Sequence, residues 1–325
     1  MQAKFLPLIA TIIVFVALYA FGGVMFDAFF SMRVFSNLFN DNAFLIVAAI
    51  GLTLVIISGG IDLSVGAMIA CVGVSVAVMI EHFHFPPLLA FSVVLVCATL
   101  FGSLMGYLIA NFDLPPFIVT LAGMFFLRGL ALVISLESVP INHNFYDSIS
   151  EFYIQLPGYG SITVSSLILL FVIMVFSVVA HYTPFGRNIY AIGGSENSSV
   201  LLGIPVRQTK VMVYATSSFL AALAGILFTF YTFSGYALSA MGLELDAIAS
   251  AVIGGTLLSG GVGYIIGTLF GVLIQGTIQT IIIFDGTLNS WWTKIIIGVI
   301  LFVFIFMQKI IASNTFTGML KKVRS

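Results

Sequence analysis

The chain has 325 residues, of which 61% are hydrophobic and only 7% are charged, with a mean hydropathy of +1.21. A soluble domain carries roughly 25% charged residues, so this composition excludes a water-soluble protein and predicts an all-α bundle embedded in lipid. The net charge of −1 offers no basic surface for a nucleic acid. Cys71 and Cys97 both lie in apolar runs, which argues against a disulfide framework or a metal site.

Ten apolar segments follow one another when a crossing is taken as about 20 residues. The first segment is longer than the about 7–15 apolar residues of a signal peptide and no A-x-A site follows it, so we expect it to be retained. Segments 42–57 and 244–258 are short, which predicts half-length or strongly tilted helices. The ten segments are 5–26, 42–57, 64–80, 88–110, 117–136, 163–182, 210–234, 244–258, 262–284 and 291–312.

An even number of crossings puts both termini on the same side, and the loop charges predict that this side is the cytoplasm. Trp291 and Trp292 fall at the outer edge of the last segment, where an interfacial aromatic belt is expected. The inner face then holds Lys4, Arg187, Arg207, Lys210, Lys309, Lys321, Lys322 and Arg324. The outer face holds Arg33 and Lys294 beside Asp27, Asp41, Glu81, Glu137, Asp147, Glu151 and Asp285.

A glycine pattern occurs twice and indicates an internal repeat. Ser58-Gly59-Gly60 is followed by Gly66, and Ser259-Gly260-Gly261 is followed at the same distance by Gly267. Each copy is expected to close one short segment and to open a longer helix on the cytoplasmic side. Such paired, broken elements flank a central pathway in many transporters.

The first copy, "ISGGIDLSVGAM", combines flexible glycines with an acid. Gly59 and Gly60 allow a tight turn, and Asp62 or Ser64 is expected to cap the next helix. Two interpretations stay open: a capped turn at the membrane surface, or a direct role in gating, in the translocation path or in contact with an ATPase.

Residues 183–209 form the longest inner loop. Ser195 is a good N-cap, and Gly203 and Pro205 favour a stop, so a short helix is predicted over 196–202. Val200, Leu201 and Leu202 give it an apolar patch. The helix fits either the groove of another protein or the lipid headgroup layer.

Arg128 lies well inside an apolar segment, where a charge marks a candidate functional site. Its expected partner is Asp246 or Glu244, or alternatively Glu137 if the side chain extends outward. An ion pair and a substrate or gate contact both remain open.

Gln275 and Gln279 are four residues apart and therefore share one helix face. Uncharged hydrogen-bonding groups suit a neutral polyhydroxylated solute on the translocation path, and they equally suit hydrogen bonds between helices. Gly102 with Gly106, and Gly267 with Gly271, form G-x-x-x-G pairs that predict close helix packing. No P-loop, zinc-protease or nucleophile-elbow motif occurs, so we expect a transport subunit without a cofactor rather than an enzyme.

Three long stretches, "SGGIDLSVGA", "TPFGRNIYAIGGSENSSVLLGI" and "ELDAIASAVIGGTLLSGGVG", resemble the ribose-type sugar permeases of bacterial ABC importers. The likeness covers nearly the whole chain as one transmembrane domain with the fold of a type II importer. Within that family, "TLAGMFFLRG", "SVPINHNFYDSIS" and "FDGTLNSWWTKI" resemble the permease of a galactofuranose system.

This resemblance implies a permease of the bacterial inner membrane that pairs with a paralogous permease subunit. A cytoplasmic double-cassette ATPase would drive the pair, and a periplasmic sugar-binding protein would deliver the sugar. The family's coupling helix maps onto residues 195–203. Glu196-Asn197-Ser198 departs from the commoner Glu-Ala-Ala, which is expected to tune the choice of ATPase. The residues expected at the ATPase are Ser195, Glu196, Asn197, Ser198, Leu201, Leu202 and Gly203.

Two functions of other classes compete with this expectation. An ion-coupled secondary transporter would be expected to carry acids near the midplane, whereas the acids here cluster at segment ends. A non-transporting scaffold or receptor would leave the exposed helix and the repeat unexplained.

Overall fold

The computed structural model describes residues 6–289 and 291–312, with side chains described from 7 to 289 and from 291 to 307. Lys4, Lys321, Lys322 and Arg324, and the side chain of Lys309, lie outside the described residues. The helices are α1 (Leu6–Met25), α2 (Met32–Ile57), α3 (Val65–Glu81), α4 (Pro87–Asn111), α5 (Pro116–Ile134), α6 (Asn144–Glu151), α7 (Val164–Tyr182), α8 (Pro184–Gly194), α9 (Glu196–Leu201), α10 (Val206–Thr232), α11 (Leu243–Ile253), α12 (Ile265–Asp285) and α13 (Trp291–Ala312). The strands are β1 (Val139–Pro140), β2 (Tyr153–Leu156), β3 (Gly160–Thr163) and β4 (Ser234–Gly235).

Each of the ten predicted segments contains one helix, which confirms the polytopic helical bundle. Within the described residues, seven helices are long and apolar enough to cross a membrane, and α3 and the described part of α13 are shorter apolar helices. The central helices α2, α10 and α12 are mostly buried, whereas α1, α4, α5 and α7 expose most of their apolar surface. A helix that is apolar on every side is expected in lipid.

The expectation that segment 42–57 is short is wrong. Helix α2 begins ten residues earlier, at Met32, and has 26 residues. Its N-cap Ser31 accepts a hydrogen bond from the backbone of Val34. Asn40, which precedes the predicted segment, lies inside the helix. Its side-chain amide donates to the Ser161 carbonyl at 2.9 Å, and its carbonyl oxygen accepts from the hydroxyl of Ser166 at 2.6 Å. These partners satisfy a polar side chain that sequence alone leaves unexplained.

The second short segment is a short helix, but it ends earlier than predicted. Helix α11 has 11 residues and stops at Ile253, because Gly255 takes a φ of +92° that continues no helix. Ser259-Gly260-Gly261 therefore lies within the following turn and does not close the helix.

This boundary changes the register of the internal repeat. In the first copy the backbone N–H groups of Ser58, Gly59 and Gly60 bond to the last turn of α2. In the second copy Gly254, Gly255 and Thr256 make the same three bonds to the last turn of α11. The structural counterpart of Ser58-Gly59-Gly60 is thus the segment 254–256, and the second turn is four residues longer before the next helix begins.

Both G-x-x-x-G pairs permit close helix packing, as predicted. A Cβ at Gly102 would overlap the backbone of Tyr214 on α10, and one at Gly271 would overlap the backbone of Ser250 on α11. The glycines let these helix backbones approach closely.

The bundle has two distinct ends. Helices α8 and α9 lie at one of them, which we call the α9 end, together with the turns after α2 and α11. The paired strands β1–β4 and β2–β3 and helix α6 lie at the other, which we call the hairpin end.

Candidate docking surface and polar cleft

Residues 183–209 are helical over most of their length rather than forming a loop with one short helix. Helix α8 begins at Pro184, where the hydroxyl of Thr183 accepts from the Gly186 backbone at 3.2 Å. Sequence analysis missed α8, although Thr183-Pro184 is an N-cap followed by proline at N1. The predicted short helix is confirmed as α9. Ser195 caps it by accepting from the Ser198 backbone, and Gly203, with a φ of +76°, follows its end.

Helix α9 presents an uncovered apolar tip. Leu201 is 89% exposed and Leu202 is 79% exposed. Opposite this tip, Glu196 pairs with Lys210 of α10 at 2.6 Å, which holds α9 against the bundle. Asn197 is exposed beside Glu196, and Ser198 is bonded to Ser195. The arrangement is a short, anchored helix with two exposed leucines at its far end.

The last turn of α8 packs against both glycine turns through backbone atoms. The backbone N–H of Gly261 donates to the carbonyl of Ile57 at 2.8 Å, which joins the turn after α11 to the end of α2. A Cβ at Gly193 would overlap both of these backbone atoms. Gly59 and Gly260 complete the contact, with the Gly59 Cα 3.0 Å from the place of a Cβ at Gly260. We call this meeting point of Gly59, Gly193, Gly260 and Gly261 with the Ile57 carbonyl the glycine junction.

The junction links the exposed helix to the centre of the bundle. Tyr190 of α8 reinforces it by donating its hydroxyl to the carbonyl of Gly263 at 2.7 Å. The two glycine turns, predicted to lie on one side, do lie at one end and touch each other and α8 there. A displacement of α8–α9 must therefore move the end of α2 and the turn between α11 and α12, or separate this backbone contact.

The other two glycines of the pattern also allow close contacts. A Cβ at Gly66 would overlap the carboxylate of Glu244, and one at Gly267 would overlap the Gly254 carbonyl. Each lies in the first turn of the helix that follows its glycine turn.

Asp62 is fully buried within the protein. One oxygen accepts from the backbone and hydroxyl of Ser64, at 3.0 and 2.6 Å, and the other accepts from the hydroxyl of Ser217 at 2.8 Å. Burial raises the pKa of this carboxyl, and these hydrogen bonds oppose the rise. Ser64 makes no side-chain cap, so Asp62 organises the turn. It lines none of the cavities described below.

We expect Asp62→Ala to destabilise the protein strongly and Asp62→Asn to do so weakly. Alanine leaves buried groups of Ser64 and Ser217 without an acceptor, at about 1–3 kcal/mol for each unsatisfied group. Asparagine keeps one acceptor for Ser64 and offers a donor to the Ser217 hydroxyl. The remaining monodisperse fraction after heating, measured by size-exclusion chromatography in detergent, checks the order. An equal loss of the monodisperse fraction in both variants would show that stability requires the ionised carboxylate itself.

Arg128 holds the segment that leads into α11. One of its guanidinium nitrogens donates to the carbonyls of Ala237 and Ser239, at 2.6 and 2.8 Å. Glu244 attracts it electrostatically without a direct pair in the described residues. The expected ion pair with Asp246 is wrong, because Asp246 pairs with Lys294. Arg128 therefore binds backbone carbonyl groups, and a sequence pattern does not reveal contacts of this kind.

A polar cleft of about 280 Å³ opens between four helices, α2, α11, α12 and α13. Gln275 and Gln279 both line it, as their shared face predicted. Gln275 is 4% exposed and its amide donates to the Asp246 carbonyl at 3.0 Å, whereas Gln279 is exposed. The cleft is lined by Asn42, Leu45, Asp246, Gln275, Gln279, Thr293, Lys294 and Ile297.

Sequence analysis missed most of this lining. Asn42 seemed to mark a segment end, and Thr293 and Lys294 follow the tryptophans assigned to the aromatic belt. The available signal was helical spacing: Asn42 and Leu45, like Thr293, Lys294 and Ile297, recur at three or four residues and so share a face.

Two other cavities are less suited to a polar solute. One of about 340 Å³ between α3, α4 and α5 contains both cysteines and is almost entirely apolar. Another, of about 180 Å³ at the hairpin end, includes Asp41 and Tyr231.

Comparison with known proteins assigns the chain to a family. Residues 34–305 match the family model described as "Branched-chain amino acid transport system / permease component". No solved structure matches the chain.

Three curated relatives cover most of the chain. The inner membrane ABC transporter permease protein YjfF of Escherichia coli K12 is 55% identical, over 94% of this chain and 92% of the relative. The fructose import permease protein FruG of Bifidobacterium longum is 38% identical, over 95% and 92%. The ribose import permease protein RbsC of Haemophilus influenzae is 40% identical, over 76% of each chain. The chain therefore belongs to this family of ABC transporter permeases, as its resemblance to ribose-type permeases implied.

Proposed function

We propose that this chain is the permease subunit of an ABC importer that moves one monosaccharide, galactofuranose, across the bacterial inner membrane into the cytoplasm. The names of its relatives, which include fructose and ribose import permeases, support a monosaccharide as the cargo. The likeness to YjfF and the loops quoted above support galactofuranose.

The observation that carries this proposal is the apolar tip of α9. Two leucines at least 79% exposed, on a helix anchored by an ion pair and by backbone contacts, form a rigid plug for another protein's groove. The chain has no P-loop of its own. In this proposal a double-cassette ATPase receives residues 195–203, and a periplasmic binding protein delivers sugar at the hairpin end.

The charge distribution supports placing the α9 end in the cytoplasm. Arg187, Arg207 and Lys210 belong to α8 and α10 near that end, whereas Glu81, Asp147 and Glu151 lie toward the hairpin end. This asymmetry agrees with the positive-inside rule and supports a cytoplasmic location for both termini. A paralogous permease subunit completes the pathway, as the resemblance implies.

The mechanism is alternating access. Closure of the ATPase cassettes moves α9 and α8, and the glycine junction passes this movement to the end of α2 and to the turn between α11 and α12. Because the chain hydrolyses no nucleotide, its preference for one conformation comes from different contacts with its partners in each state.

Reconstitution in proteoliposomes with its proposed partners, a double-cassette ATPase, a second permease and a binding protein, tests the function. We expect uptake of labelled galactose that requires ATP on the side of the membrane that carries α9. This uptake should exceed the uptake of ribose and of fructose. Preference for ribose or fructose would overturn the galactofuranose assignment alone. Uptake without the ATPase, or its abolition by a protonophore at constant ATP, would favour an ion-coupled transporter.

A further inference from the structure

The lining of the polar cleft differs in composition from the rest of this protein. Six of its eight lining residues carry polar or charged side chains, in a chain that is 61% hydrophobic. They come from four separate helices, including the short helix α11. Polar groups among membrane helices are costly unless they bind one another, water or a solute.

Several of these side chains keep hydrogen-bonding capacity. The hydroxyl oxygen of Thr293 is buried without a partner, in a residue only 9% exposed. In the described part of the chain, the side-chain amide of Gln279 makes no hydrogen bond, and Gln275 uses only its N–H₂ group. A buried hydroxyl without a partner destabilises the protein, so a ligand that hydrogen-bonds Thr293 would recover that free energy.

Asn42 is positioned by a glycine of the facing helix. A Cβ at Gly276 would lie 2.6 Å from the Asn42 amide nitrogen, so only glycine leaves room for that side chain beside α12. The amide donates to the Leu38 carbonyl at 2.9 Å, and its oxygen accepts no bond among the described residues. The cleft therefore offers both donors and acceptors.

The charges in the cleft cancel. The ammonium group of Lys294 donates to a carboxylate oxygen of Asp246 at 2.7 Å, across α13 and α11. A paired lysine and aspartate favour a neutral solute over an anion or a cation. A zwitterionic amino acid would have to split this pair, and the cleft offers only Leu45 and Ile297 to a branched apolar side chain.

The volume of the cleft indicates the size of the ligand that it can hold. At about 280 Å³ the cleft lies just below the roughly 300–1,000 Å³ of pockets for drug-sized ligands. A single sugar ring with several hydroxyls matches both this size and the mixture of amides and hydroxyls.

We propose that this cleft is a subsite for one neutral monosaccharide, in which Gln275, Gln279 and Thr293 hydrogen-bond the sugar hydroxyls beside the Lys294–Asp246 pair. The inference rests on the proposed function and assigns a binding place within it. The sugar occupies the cleft transiently, since few direct hydrogen bonds let it leave again.

The test compares Gln279→Ala and Thr293→Val with wild type in the reconstituted importer, at saturating galactose-loaded binding protein. Losing one neutral hydrogen bond to the sugar predicts a fall in maximal uptake of about 3- to 10-fold. Thr99→Val, at the middle of helix α4 and outside the cleft, is the matched control and should match wild type. The basal ATPase activity of the complex and its elution profile should stay unchanged in all variants.

Thr293→Val separates a sugar contact from a structural role. Valine has nearly the same shape and removes an unsatisfied hydroxyl, so the variant should be as heat-stable as wild type or more stable while transporting less. Thr293→Ser should restore most of the uptake. If wild type imports galactose and both variants equal Thr99→Val, the subsite is overturned and the proposed function stands. If leucine competes with galactose for uptake, the neutral-sugar assignment is overturned. If wild type imports no sugar, the proposed function itself is overturned.

Discussion

Replacing Leu201 with Asp is expected to abolish ATP-driven uptake while the protein still inserts and folds. Leu201 is 89% exposed and makes up the tip of α9 with Leu202. Burial of one leucine in a partner groove stabilises docking by about 2 kcal/mol, and an unpaired carboxylate there costs several more. The sum exceeds about 4 kcal/mol, or roughly a thousand-fold in affinity. Because the side chain packs on nothing in this chain, the free energy of unfolding should hardly change.

Copurification of the ATPase with the tagged permease measures the effect directly. Leu136→Asp is the matched control, since Leu136 is 74% exposed but lies beside strand β1 at the hairpin end. We expect the Leu201→Asp variant to lose the ATPase and the Leu136→Asp variant to retain it. Should both retain it, α9 rests on the lipid headgroups and the docking assignment is wrong.

The general architecture was predictable because the apolar runs and their punctuation are physical requirements of the bilayer. All ten predicted segments contain a helix, and the cap at Ser195 with the stop at Gly203 located α9 within one residue. These are local signals, set by residues within a few positions of each other.

The errors came from interactions between distant residues. The predicted segment began only at residue 42, yet Asn40 lies within α2, where Ser161 and Ser166 hydrogen-bond its side chain from 121 and 126 residues away. The repeat was set on the wrong Ser-Gly-Gly because the end of α11 depends on the backbone of Gly255, and a pattern of letters does not give φ. Gln275 and Gln279 were recognised by helical spacing, whereas their neighbours Asn42 and Thr293 come from other helices.

Gly193 lies in the glycine junction, although sequence analysis gave no role to this residue. Nothing in "AIGGSENSS" tells its two glycines apart, because both Gly193 and Gly194 stand at the end of α8. The structure separates them: a Cβ at Gly193 would overlap the backbone of two other segments, and a Cβ at Gly194 would meet no atom within 4 Å.

Gly193→Ala should therefore uncouple the importer, whereas Gly194→Ala should behave as wild type. The added methyl group meets the Ile57 carbonyl and the Gly261 nitrogen, which are backbone atoms that no rotamer change can move. Overpacking of this kind costs about 1–3 kcal/mol, and separating the Gly261–Ile57 hydrogen bond adds about 1 kcal/mol. The protein can reduce this cost only by moving α8 away from the end of α2 and from the turn between α11 and α12.

The expected signature is a complex that keeps its ATPase and hydrolyses ATP but imports sugar at least tenfold more slowly. Docking should survive because the leucine tip of α9 is untouched, so copurification and ATPase rate serve as internal controls beside labelled uptake. This combination differs from that of Leu201→Asp, which loses the ATPase altogether. If Gly193→Ala imports sugar as fast as Gly194→Ala, movement reaches the membrane helices by a route other than the glycine junction.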